Sequence, residues 1–159
     1  MKRILPAQFD NHYRGHVSAL WILALITTMT LAQSAVHLFT SDGGALSIAH
    51  IPLDTYSAGA AQNLVALYAR LGLGQCLMGV LCLVALRRYR AMIPLLYVVL
   101  VLGYVAQWGV AQLKPTVTVG VSGASAPAVV LTTLGIVGLV QSLRGQGYRI
   151  ARADSRKEE

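Results

Sequence analysis

Apolar residues along this chain fall in long unbroken runs, with neither the alternation of a half-buried strand nor the one-sided stripe of a surface helix. Four runs, at 17–38, 64–86, 92–113 and 126–143, hold almost no charge. Crossing ~30 Å of hydrocarbon takes about 20 residues of helix at 1.5 Å per residue, and each run is close to or above that length. Backbone hydrogen bonds must close internally in lipid, so continuous runs predict helices, whereas a transmembrane barrel shows short segments of alternating polarity. The expected fold class is all-α: an integral membrane four-helix bundle, one transmembrane domain over residues 1–159. The last run is the shortest and contains Thr132 and Thr133.

The links differ in character. Residues 87–91 make a tight basic turn, and Pro94 falls in the first helical turn after it, where a missing N–H costs little. The outer link, 39–63, opens with Ser41-Asp42-Gly43-Gly44, a turn signal with Asp42 as a cap candidate. Its middle, 45–51, is apolar enough to lie on the membrane surface as a short helix that Pro52 ends. The second link, 114–125, alternates like a strand at Thr116, Val117, Thr118 and Val119; with no partner strand it reads as extended loop.

Composition agrees with the pattern. With 55% apolar and 12% charged residues, a soluble domain, a DNA-binding module and a disordered tail are excluded. Charge then sets orientation, because Lys and Arg near span ends stay on the cytoplasmic side. Of the 13 basic residues, all but Arg70 and Lys114 precede the first run, fill the 87–91 turn or follow the fourth run. The link 39–63 has Asp42 and Asp54 and no Lys or Arg. The expectation is an inner (plasma) membrane, multi-pass protein with both termini cytoplasmic. Topology and attraction to anionic lipid headgroups account for the +7 charge without nucleic acid. Lys2, Arg3 and Arg14 ahead of an apolar core, with Ala32-Gln33-Ser34 beyond it, also resemble a secretory signal. The apolar run continues past that step through Val36 and Leu38, which favours a span.

Familiar membrane chemistries lack their residues. Cys76 and Cys82 lie ~9 Å apart along one helix and on different faces, which does not suit a disulfide and reads as packing. Of the four histidines only His37 falls in a run, so the facing pair of a haem site is missing. A metal site from His37, His50, Asp42 and Asp54 stands behind a solvated-loop reading. No Asp or Glu occurs in any run to couple transport to protons. No catalytic residue, metal or firm cofactor is assigned, and the balance is against an enzyme.

What remains is Arg70, the one formal charge inside a run and for that reason a candidate functional residue. Counted from the outer ends at 1.5 Å per residue, Arg70, Gln107 and Gln33 all lie ~8–9 Å down, with His37 above them and Tyr104 below. One reading is a pocket in which a guanidinium and two amides hold the oxygens of a quinone, lipid headgroup or small anion. A second is that the glutamines simply satisfy Arg70 and lock the bundle. A third is that Arg70 snorkels to the outer surface. Gly72, Cys76 and Gly79 form a small-residue stripe on the same helix, and Gly135 and Gly138 do so on the fourth, for close helix approach. Trp21, Tyr56, Tyr68, Tyr89 and Trp108, near the run ends, read as interfacial anchors.

Asn63, Arg70, Gly72, Gly74 and Gly79, followed by Arg87-Arg88-Tyr89-Arg90, resemble the second helix of DoxX-like small four-helix membrane proteins. The motif covers residues 63–90, while the topology is similar over nearly the whole chain. The resemblance implies a link to quinone-dependent sulfur or thiol oxidation in a respiratory chain, as in some members. Where such a protein would carry a basic residue late in its third helix, this chain has Gln107 and Trp108. Two functions are therefore expected. The first is a non-catalytic membrane subunit or assembly factor, with a protein partner or a second copy of itself alongside membrane lipids. The alternative is a protein that binds a quinone, lipid or small anion in the Arg70 layer.

Overall fold

The computed structural model describes residues 4–145. Lys2, Arg3 and the charged tail from Arg149, with Arg152, Arg156 and Lys157, lie outside the described residues. Four helices carry the chain: α1 (Val17–Phe39), α2 (Ala58–Arg88), α3 (Ile93–Leu113) and α4 (Ser125–Leu143). Each of α1 to α4 is long and apolar enough to cross a membrane. No strand occurs among the described residues.

Local chemistry sets the helix ends. The His16 side chain accepts the Ser18 N–H at 3.2 Å to open α1. The Ser57 hydroxyl accepts the Ala60 N–H at 3.4 Å to open α2, and Pro94 sits in the first turn of α3. Helix α2 starts at Ala58, earlier than the apolar run at 64, because a serine cap and an alanine-rich turn propagate helix whether or not lipid surrounds it. At 31 residues it is ~46 Å long, more than the hydrocarbon thickness.

Around the bundle the order is α2, α1, α4, α3: α1 packs on both α2 and α4, α3 packs on α4, and α2 and α3 scarcely touch. The main core gathers toward the end where the chain enters α1, leaves α4 and turns from α2 into α3, here called the terminal end. It holds Ala19, Leu23 and Ile26 of α1, Cys82 and Ala85 of α2, and Ile93, Leu96, Tyr97 and Leu100 of α3, with Leu131 of α4. The Tyr97 hydroxyl donates to the Ala19 carbonyl at 2.6 Å, and a Cβ on Gly138 would run into the Tyr97 ring. The segment before α1 folds across this end. His16 N–H bonds Gln141 O at 3.0 Å and Ala91 N–H bonds Asp10 O at 3.2 Å. Burial there pushes the Tyr13 hydroxyl pKa up to about 12.

The opposite, link end is covered by the two long links. Residues 41–49 form successive turns, so the short surface helix expected at 45–51 is not there. Gly43 and Gly44 take left-handed φ of 59° and 78°, as does His50 at 57°, and these positions bracket the segment and leave only 45–49 between them, too short for more than a turn of helix. Asp42 holds the turns by accepting the Gly44, Leu46 and Ser47 N–H groups at 3.0, 3.2 and 2.7 Å. Partial burial works against the Asp42 charge. Backbone bonds from Ser47 and Gly44 and hydroxyl bonds from Ser47 and Thr40 outweigh it and hold the carboxyl well below the usual carboxylate range. Ala45, Ala49 and Ile51 turn inward onto Leu53, Leu64 and Tyr68 in a second, smaller core. The second link, extended as its pattern implies, is tied to the first: Val119 N–H bonds His50 O at 2.9 Å, and the His50 ring donates to Val121 O at 2.9 Å. Trp21, Trp108, Tyr56 and Tyr89 are exposed as anchors would be, whereas Tyr68 lies edge-on to the His37 ring, 5.4 Å between centroids.

Candidate ligand-binding cleft

Because α2 and α3 diverge, the half of the bundle nearer the links contains a cleft of about 550 Å³ that all four helices line. Arg70, Gln33 and Gln107, which share a depth in the sequence, are on its walls together with Tyr104 from below that depth. Arg70 is exposed to it and makes no hydrogen bond or ion pair among the described residues. Neither glutamine hydrogen-bonds to the guanidinium, as the locking reading would require. Asp42 is occupied with backbone N–H groups, and the one ion pair among the described residues is Arg14 with Asp10, 3.8 Å apart at the terminal end.

His37 is set apart from this group. It is buried, its Nδ1–H donates to Gly43 O at 2.6 Å, and it does not line the cleft. Its Nε2 has no partner. Its Cβ faces Gly72, whose carbonyl accepts the Ser34 hydroxyl at 2.9 Å. His37 therefore clasps α1, α2 and the first link together. No group of three His, Cys, Asp or Glu able to hold a metal forms among the described residues.

The small residues divide into two kinds. A Cβ on Gly72 would meet His37, one on Gly79 would meet Leu31, and one on Gly135 would meet Val101 at 3.1 Å. With Gly138 against Tyr97, these are close approaches within the chain, not a face offered to a partner. Cys76, on the same stripe, is half-buried and a free thiol, as is the buried Cys82. Gly74 and Gly103 are the second kind: a Cβ on either would meet nothing within 4 Å, and both line the cleft.

Sequence reasoning missed Thr30, Gly74, Gln75 and Gly103 as cleft residues. Helical spacing carried a signal for three of them. Thr30 is three residues from Gln33, Gly74 four from Arg70 and Gly103 four from Gln107, each one turn toward the terminal end on the same face. Gln75 falls off that face. Its Oε1 is buried without a hydrogen-bond partner beside the cavity.

Arg70, Gln33 and Gln107 line the cavity toward the links, beside Leu71 and Leu131, and Met78, Val99 and Leu100 line it toward the terminal end. A guanidinium offers five N–H donors in a planar fork, suited to a carboxylate, a phosphate or a carbonyl oxygen. The arrangement can hold an oxygen-bearing head with an apolar body beneath it. No protein-family model matches the chain, and neither does any curated protein or solved structure.

Proposed function

We propose that this protein is a multi-pass inner-membrane protein, termini cytoplasmic, that binds an amphiphile with an oxygen-bearing head in the cleft between α2 and α3. The observation that carries this reading is Arg70, a charge inside a span that lines a cavity with no protein partner. An arginine at the centre of a span costs about 2.5–3.5 kcal/mol to insert on translocon scales, and less toward the boundary where Arg70 lies. A purely structural role would be expected to engage its donors. Basic residues at the terminal end, Arg14, Arg87, Arg88, Arg90 and Arg144, support the cytoplasmic assignment of that end. The resemblance of residues 63–90 to DoxX-like proteins would make a quinone one ligand, with a lipid or small anion as others. We assign no catalytic residue. Proposed as a second reading, a non-catalytic subunit would place a partner's helix in the same gap.

Purified protein, analysed by mass spectrometry of extracted small molecules and by thermal melting, tests the proposal with Arg70→Lys and Arg70→Leu beside the parent. A co-purifying amphiphile reduced in both variants is expected, since an ammonium keeps the charge but not the fork. Unchanged ligand content and melting in both would remove Arg70 from the site. A stoichiometric protein in place of a small molecule would shift the assignment to the subunit reading. Orientation is tested separately by impermeant thiol labelling in intact cells, on a background lacking Cys76 and Cys82. Ser47→Cys should label and Asn11→Cys should not; the reverse would invert the topology.

A further inference from the structure

Three features of the cleft bear on what fills it. The first is charge. Arg70 brings a positive charge, and none of the residues lining the cavity is acidic. A neutral head would leave that charge without a counter-charge at the edge of the hydrocarbon, whereas an anionic head supplies one. The second is depth. Arg70 lies ~24 Å along α2 from Leu86, beside the basic turn, so it sits only several ångströms short of the far boundary of a ~30 Å hydrocarbon layer. That is the level of the head and ester groups of the leaflet on the link side, within reach of an extended arginine side chain. The third is the wall beneath. Gly74 and Gly103 both line the gap with no atom within 4 Å of a Cβ on either, and Met78, Val99 and Leu100 continue the wall. Their side of the bundle is where α2 and α3 scarcely touch, so the gap leads sideways between two spans into the bilayer.

We infer that the occupant is an anionic phospholipid drawn sideways from the link-side leaflet. Its phosphate sits on Arg70 between Gln33 and Gln107, and an acyl chain lies in the slot past Gly74 and Gly103. The inference rests on the ligand-binding reading of the cleft and narrows it. Gln75, whose Oε1 is buried without a partner, adds an acceptor that a hydroxyl donor on the lipid can fill. The two glycines keep the slot open. They do not bring helices together as Gly72 and Gly79 do.

The test uses the full chain in nanodiscs of equimolar phosphatidylglycerol and phosphatidylcholine containing a small fraction of quinone. Native mass spectrometry then counts the molecules that stay bound after release into detergent. The parent should retain one phosphatidylglycerol in preference to phosphatidylcholine by about tenfold or more, because the choline cation offsets the phosphate charge that Arg70 pairs with, whereas the glycerol head leaves it net negative. Arg70→Gln should bring that ratio near unity, while Arg87→Gln, at the basic turn, should leave it unchanged. Gly103→Leu, alone or with Gly74→Leu, should abolish retention of the lipid while the bundle stays folded, because a Cβ at either position meets nothing within 4 Å. Equal retention of both lipids by the parent would overturn the inference, as would loss of preference in Arg87→Gln or a lipid that survives the filled slot. Displacement by millimolar inorganic phosphate would assign the site to a free anion. A retained quinone would refute the lipid while leaving the ligand-binding reading standing, and no adduct on the parent would refute both.

Discussion

At the terminal end, Tyr97 of α3 reaches α1, bonds the Ala19 carbonyl and lies against Gly138 of α4 with no room for a further atom. A few turns toward the links, the same α3 presents Gly103 and Gln107 to a cavity, across from an arginine that nothing in the described chain satisfies. Both regions are built from small and polar residues on apolar helices. They differ in what the small residue faces. Where a glycine faces a neighbouring side chain it lets helices close, and van der Waals contact and an interhelical hydrogen bond hold them. Where it faces open space, it leaves a slot that another molecule is free to fill.

The sharpest break of this contrast is to overfill each region in turn. Gly138→Leu should destabilise the bundle by about 3 kcal/mol, since the Tyr97 ring cannot move aside without losing its bond to Ala19. Thermal melting or denaturant titration in detergent would read this; a near-native melt would mean the terminal end is looser than described. Tyr97→Phe isolates the bond alone and should cost about 1 kcal/mol.

The link end gives an effect of similar size with a pH signature. Asp42→Ala should cost about 1 kcal/mol at neutral pH, as the loss of a capping side chain does. Asp42 has a lower proton affinity folded than unfolded. Its contribution is therefore complete above the ordinary carboxylate pKa of about 4 and is lost as pH falls through the lower folded value. The parent should lose stability below about pH 4, and the alanine variant should show a shallower loss. Parallel curves for the two would detach Asp42 from the stability of the link. The smallest effect is expected at Gly74→Leu, which should change stability by no more than about 0.5 kcal/mol although the new side chain is far larger than the old. A large loss there would mean that α2 and α3 close on each other.

Much of this was legible in the chain. Unbroken apolar runs placed α1, α3 and α4 closely, because in lipid the run and the helix are the same object. Helix α2 outran its apolar run at Ala58, since helix formation obeys capping and propensity while hydropathy marks only the part that lipid covers. Depth counting brought Arg70, Gln33 and Gln107 to one level with Tyr104 below it, and the structure shows all four on one cavity. The same counting included His37, which instead holds Gly43 and packs on Gly72, because depth along an axis says nothing of the direction in which a side chain points. The separation of α2 from α3 was not legible either. It depends on which pairs of helices pack, and four similar apolar runs do not encode their order around a bundle.

The account turns on whether the gap between α2 and α3 is open and Arg70 occupied from outside the chain. An experimental structure of the protein in a phosphatidylglycerol-containing bilayer tests this most directly. The account predicts α2 and α3 apart at Gly74 and Gly103, with a head on the Arg70 guanidinium and a tail descending between the two glycines. Helices α2 and α3 in contact along that stretch, with Gln33 and Gln107 hydrogen-bonded to Arg70, would contradict it.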